Sequence, residues 1–158
     1  MKQYKIAAVN PFFIALLFTG LHCTAQTTGN KNLAEARKAI EKVNAIYFEW
    51  YAKNDGSILN LYTNDACLMP PNAPLICGRN ALAKDFKDTY AAGVVKGGTF
   101  TTVKLYGDGI NYVTEEGRWQ VFDVAGKLID DGKFLKLWKK TKAGWKILRD
   151  SFNSDHRQ

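Results

Sequence analysis

The sequence predicts an α+β domain in which helices pack across a curved antiparallel sheet. Three observations predict it. Apolar residues recur every three or four positions between residues 33 and 50, the period of one helix face. From residue 99 onward, four long runs rich in Thr, Val and aromatic residues are separated by Gly-containing turns. The helical segments precede these strands instead of alternating with them, which places helices on one face of a sheet.

The elements follow in order. Residues 26–31 read as a polar linker. Asn32 is a plausible cap for a helix whose apolar face is Leu33, Ala36, Ile40, Val43, Tyr47 and Trp50. Asn54-Asp55-Gly56 ends it, and Ser57 is placed to cap a short second helix carrying Ile58, Leu61 and Tyr62. Residues 66–69 and 75–77 form two short strands. Pro70, Pro71 and Pro74 prevent a continuous ladder between them, so this stretch is an edge or a turn. Gly78 frees the backbone before a helix from Asn80 to about residue 92, with Leu82, Phe86 and Tyr90 on one face and Gly93 at its C-terminal cap. Strands at 99–106, 110–124, 128–140 and 145–153 complete the chain. Their short Gly-containing connections are hairpins, so the sheet is antiparallel. Helices across the mouth of such a sheet leave a concave apolar pocket.

The chain has 158 residues and opens with Lys2, Lys5 and an apolar run over residues 6–21. That run has the length of a signal segment and is short for a membrane span. Ala25 is a suitable small residue for cleavage. The expected organisation is a signal peptide at 1–25, a linker at 26–31 and one domain at 32–155, exported to the periplasm or beyond, without a membrane span. Cys23 keeps a lipoprotein alternative open, although His22 is not the small residue that a lipidation motif wants. Formal charge is +7; losing Lys2 and Lys5 leaves 20 basic side chains against 15 acidic ones. The lysines between 133 and 146 straddle a hairpin with no phosphate loop or nucleic-acid motif beside them. They read as solvated faces, and no nucleic-acid partner is expected.

Cys67 and Cys77 lie equally far from Asn72. In a hairpin turning there they face each other, and an exported chain meets an oxidising compartment. Two readings stand: a disulfide, or two buried free thiols. Beyond the signal segment the only histidine is His156, near the C-terminus. That excludes a well-placed Ser-His-Asp or Cys-His system, and no metal or cofactor is expected.

Carboxylates remain as acid–base candidates. Asp150 alternates with Leu148 and Phe152; it is either a pocket base with a raised pKa or a structural partner of Arg118, Arg79 or tyrosine hydroxyls. Glu115 alternates with Gly117, Trp119 and Val121, and is either a pocket group or a strand-end charge. Tyr47, Trp50, Tyr62, Met69, Trp119 and Phe152 are the candidate pocket lining, suited to a small, largely apolar molecule. Arg79 is expected either to meet an anion or to pair with Asp65 or Asp85. Strand alternation leaves a second, partly apolar sheet face, so a homodimer is expected.

Several motifs carry a resemblance. Leu61-Tyr62-Thr63-Asn64-Asp65-Ala66, Met69-Pro70-Pro71 and Gly78-Arg79 resemble the SnoaL-like, or ketosteroid-isomerase-like, proteins. So do Asp131-Gly132-Lys133-Phe134, Gly144-Trp145-Lys146-Ile147 and Asp150-Ser151-Phe152-Asn153. The resemblance covers nearly all of the chain beyond the signal segment. It implies the cone-shaped α+β fold of the nuclear-transport-factor-2-like (cystatin-like) superfamily. That superfamily includes isomerases, cyclases, dehydratases, binding domains and assembly modules, so fold leaves function open. The aspartate base of ketosteroid isomerases falls on Pro70, which cannot accept a proton. Their oxyanion tyrosine falls near Ile46, one residue from Tyr47. The His-Asp pair of related dehydratases has no counterpart. Three readings follow: a pocket for a small apolar molecule, an isomerase or lyase using Asp150 or Glu115, and a dimeric interaction module.

Overall fold

The computed structural model describes residues 25–156, with side chains from residue 31. Of the signal segment expected at 1–25, residues 1–24, including Cys23, lie outside the described residues, and Ala25 opens α1. The elements are α1 (Ala25–Lys53), a 3-10 turn (Ser57–Leu61), β1 (Tyr62–Met69), β2 (Ile76–Cys77), α2 (Arg79–Ala92), β3 (Gly97–Gly107), β4 (Tyr112–Phe122), β5 (Leu128–Thr141) and β6 (Gly144–Ser154).

One six-stranded sheet runs in the order β2-β1-β6-β5-β4-β3. The hairpin-linked strands β3 to β6 are antiparallel. β1 joins the sheet parallel to β6, making it mixed. The whole meander separates these two strands in sequence, so no tight turn dictates their relative direction.

Two expectations about α1 are corrected. Residues 26–31 are helical, and Asn32 lies inside α1. No proline interrupts this segment, and extending an existing helix gains a bond per residue without a new nucleation cost. The buried stripe is Ala36, Ile40, Asn44, Tyr47 and Tyr51, while Val43 and Trp50 are half-buried. A polar residue, Asn44, therefore occupies the middle of the helix face that meets the sheet. At the other helices the caps are glycines: Gly56 precedes the 3-10 turn, and Gly78 precedes α2 at φ 83°. Neither Ser57 nor Asn80 serves as the cap.

The inner face of the sheet holds the core. Val113, Glu115, Gly117 and Trp119 point inward from β4, and Gly132, Phe134, Lys136 and Trp138 from β5. Two glycines on this face make room for rings. A Cβ at Gly117 would overlap the Phe134 ring, and one at Gly132 would overlap the Asn153 carbonyl and crowd Trp119.

Register aligns one row across the sheet: Leu105, Glu115, Lys136, Asp150 and Leu68 are successive cross-strand partners on β3, β4, β5, β6 and β1. A register shift separates Leu137–Arg149 from Trp138–Ile147. It breaks the expected alternation, so Leu148 is out of phase and Asp150 shares the buried face with Ile147 and Trp145. At the sheet edge Cys67 and Cys77 are cross-strand partners joined by a disulfide, which settles the thiol alternatives. Asn72, between them, turns the chain at φ 55°.

Candidate functional site

A cavity of about 520 Å³ lies between the helices and the inner face of the sheet. Tyr47, Phe48 and Tyr51 of α1 and Asp85, Phe86 and Thr89 of α2 form one wall. Phe100, Trp119, Val121, Ile129, Asp130 and Phe152 form the sheet wall, Asp150 lies at the floor, and Leu68, Pro70 and Pro71 close the end of β1. The rings brace one another. Phe48 stacks on Phe100 at 5.1 Å, Tyr47 meets Phe100 edge-on at 5.0 Å, and Trp119 meets Phe152 edge-on at 6.1 Å.

The floor carries a hydrogen-bonded chain. Asp150, 4% exposed, accepts a bond from the Tyr62 hydroxyl at 2.8 Å. The Tyr47 and Tyr62 hydroxyls are 2.9 Å apart. Since Tyr62 gives its proton to Asp150, Tyr47 donates to Tyr62. Burial pushes the Asp150 carboxyl up, and Lys136 and the Tyr62 hydroxyl only partly oppose this. Burial, reinforced by the Asp150 charge, also pushes both phenols up, so they act as donors and stay protonated.

Lys136 lies behind the floor and is fully buried. Its Nζ sits 3.3 Å from the Phe100 ring centroid and 4.5 Å from that of Phe134, and donates to Asn44 Oδ1 at 3.4 Å. Burial pushes its pKa down, while Asp150 and Glu115 pull the other way. Glu115, beyond Lys136 in the row, accepts bonds from Asn44 Nδ2 (2.7 Å), Thr102 Oγ1 (2.5 Å) and Trp138 Nε1 (2.8 Å). Thus two buried carboxylates flank one buried ammonium.

The structure divides the residues singled out by sequence. Tyr47, Trp119, Phe152 and Asp150 line the cavity. Tyr62 lies one layer behind, linking Tyr47 to Asp150. Trp50 is absent from the lining because the inward stripe of α1 passes through Tyr47 and Tyr51; adjacent helix positions differ by about 100°. Met69 is absent because its neighbour Leu68 points inward, and alternate strand positions face opposite ways. Glu115 does not reach the cavity, and its three donors make it a structural group. Arg79 meets no carboxylate among the described residues: it donates to the Leu59 carbonyl and Asn60 Oδ1. Arg118 pairs with Asp155 instead of Asp150.

Sequence reasoning missed Lys136 by grouping it with solvated lysines. Its signal was available: Lys136 is in phase with Phe134 and Trp138 on a strand of period two. It also missed Phe48, Asp85 and Phe100. Asp130, Asp131 and His156 come together where the start of β5 meets the end of β6, with ligand-type atoms within 4.8 Å of one another. His156 Nε2 lies 2.6 Å from Asp131 Oδ1, a hydrogen bond that itself accounts for the approach.

No protein-family model and no curated protein matches this sequence. Solved structures do. A ketosteroid isomerase-like protein from Erwinia carotovora atroseptica superposes with a TM-score of 0.61 at 18% identity, over 76% of this chain and 96% of its own. A protein of unknown function with a cystatin-like fold from Nostoc punctiforme gives 0.64 at 15%, over 75% and 90%. A nuclear transport factor 2-like superfamily protein from Salmonella enterica gives 0.59 at 16%, over 80% and 95%. Identities this low speak for architecture alone. The chain has the cystatin-like α+β fold that ketosteroid isomerase-like and nuclear-transport-factor-2-like proteins share.

Proposed function

We propose that this chain is an exported small-molecule pocket protein whose cavity takes a compact, largely apolar ligand. The observation that carries this reading is the 520 Å³ cavity walled by aromatic rings from α1, α2 and the sheet. Its size falls within the ~300–1,000 Å³ typical of ligand sites. Export is supported by the basic start and apolar run at residues 2–21, and by a disulfide that persists in oxidising compartments. N-terminal sequencing of the exported protein is expected to begin at Gln26; retention in the cytoplasm overturns the export reading.

Titration with N-phenyl-1-naphthylamine, a neutral apolar fluorophore, tests the pocket. Saturable one-to-one binding is expected. Val121→Trp, which fills the cavity from β4, is expected to weaken it at least about tenfold. Binding that does not saturate, or that ignores the filled cavity, overturns the reading.

A second reading, acid–base chemistry of the isomerase or lyase type, is favoured by one observation. Asp150 is the cavity-floor carboxylate whose pKa burial raises, and the Tyr62–Tyr47 chain orients it. Asp150→Asn is expected to keep the fluorophore and to abolish any turnover found. Turnover surviving in that variant removes Asp150 as the base. A dimer is the third reading, favoured by exposed Val103, Tyr106 and Leu135 on the outer sheet face. Light scattering at micromolar concentration is expected to give twice the chain mass, and a monomer counts against it.

A further inference from the structure

The charges around the cavity are one-sided. Three carboxylates, Asp85, Asp130 and Asp150, belong to its lining, and no Lys, Arg or His among the described residues does. This is the reverse of the chain as a whole, which carries +7. Two of the carboxylates are already engaged. Asp150 has Tyr62 and the neighbouring Lys136, and Asp130 accepts from Ser154 Oγ. Asp85 has neither a hydrogen bond nor an ion pair among the described residues. The adjacent Lys84 is tied to Asp88, and Lys96 lies over the Tyr90 ring at 3.9 Å.

A second group on the same wall lacks a partner. Tyr51 is 7% exposed and lines the cavity, yet its hydroxyl is buried without a hydrogen bond among the described residues. A buried polar atom left in this state is costly and needs a reason. The Asp85 carboxylate is close enough to oppose ionisation of Tyr51, so the two groups share one electrostatic neighbourhood. Burial and the Asp88 charge push the Asp85 carboxyl up, and the neighbouring Lys84, itself paired with Asp88, only partly opposes this.

We propose that the cavity is specific for amines: an aromatic or alicyclic body fills the ring-lined space, and its ammonium sits against Asp85, with the Tyr51 hydroxyl as a further acceptor. This rests on the pocket reading and names its ligand class. A primary or secondary ammonium brings at least two donors, enough for one carboxylate and one phenol oxygen. The faces of Tyr47, Phe48 and Phe86 add cation–π attraction within reach of the same wall. An anion of equal size meets three carboxylates and no cation in the cavity lining.

The test uses three probes on one body, titrated calorimetrically at pH 7: 2-(2-naphthyl)ethylamine, 2-(2-naphthyl)ethanol and 2-naphthylacetate. The amine is expected to bind at least about tenfold tighter than the alcohol, and the acetate weakest. In Asp85→Asn the amine's advantage over the alcohol is expected to fall below about threefold. Taking that ratio within one variant cancels any loss of folded protein. An alcohol that binds as tightly as the amine overturns the charge inference and leaves the pocket standing. An amine preference that survives Asp85→Asn overturns the assignment to that carboxylate. Failure of all three probes overturns the pocket and this inference together.

Discussion

Replacing Lys136 with Met tests the buried charge row directly. The two side chains have similar length, so the substitution removes the ammonium and little volume. Lys136 is fully buried, and its register partners are Glu115 on β4 and Asp150 on β6. Two unit charges ~4 Å apart interact by about 4 kcal/mol at an effective dielectric near 20. Cross-strand neighbours approach such distances. The contact with the Phe100 face contributes a further ~0.5–2 kcal/mol. Against this stands the cost of burying an ammonium, which Met does not incur. Breaking a buried pair from one side usually costs ~3–5 kcal/mol, because the surviving charge keeps its desolvation penalty without its partner. Here two carboxylates survive, so a loss of about 4 kcal/mol at pH 7 is expected. For a chain of this size it lowers Tm by roughly 10–15 °C.

The pH dependence gives the sharper readout. Burial holds the Asp150 carboxyl above its unfolded value, so the folded protein keeps a proton that the unfolded chain releases. The stability this contributes is fully present below the unfolded pKa. It is lost as pH rises through the folded pKa. Lys136 is the first of the influences that pull the Asp150 pKa back down. Lys136→Met therefore raises it further, and the deficit of the variant grows from pH 4.5 to pH 8. Urea unfolding at several pH values measures this, and adding Asp150→Asn is expected to restore at least ~1.5 kcal/mol at pH 7. A Lys136→Met loss below about 1 kcal/mol, or a deficit independent of pH, refutes the charge-row account.

Three further outcomes are expected. Reducing the Cys67–Cys77 disulfide closes off a chain-entropy gain of ~2–3 kcal/mol for a loop this short; mass spectrometry of the alkylated protein and melts with and without reductant check it. Gly132→Ala puts a methyl group against the Asn153 carbonyl and the Trp119 ring, so a loss of ~1–3 kcal/mol is expected in urea unfolding, with weaker fluorophore binding as Trp119 shifts. Glu115→Gln turns an amide NH₂ toward at least one of three donors, costing ~1–3 kcal/mol of stability while leaving the fluorophore affinity of the folded protein unchanged; a tenfold affinity loss instead returns Glu115 to the site.

Much of the architecture was legible because it rests on local periodicity. Hairpin turns at Gly109, Gly126 and Gly144 carry positive φ where the sequence places its breaks, and the strand runs between them keep a period of two. The site was legible only in part because it depends on phase. α1 turns Tyr51 inward instead of Trp50, a difference of one residue that two overlapping apolar stripes do not reveal. β6 contains a register shift, so counting by twos from Leu148 reaches Asp150 by a step that the strand does not take. The partners of Asp150 were hidden for another reason. Tyr62 and Lys136 are 88 and 14 positions away along the chain, and only the parallel β1–β6 and antiparallel β5–β6 pairings bring them beside it.

The same pairings set a carboxylate beside the strand that leads into Pro70. A proline at the rim can neither accept a proton nor donate to a ladder. Leu68, two residues earlier, is the register partner of Asp150 on β6. The carboxylate at the cavity floor is therefore supplied from the adjacent strand, at nearly the same level of the sheet. Behind it, Lys136 and Glu115 continue the row without reaching the cavity, so Asp150 is the only charged member of the row among the lining residues. Any charge brought to the floor acts on the row through that one carboxylate, and on the opposite wall through Tyr62 and Tyr47. Asp85 lies outside this chain of bonds. An ammonium held there adds positive charge to a cavity whose floor already has its counter-ion, whereas an anion at the floor opposes Asp150 and gains nothing from a lysine sealed behind it. Under the amine proposal, the buried lysine therefore serves the floor carboxylate without drawing an anion into the cavity.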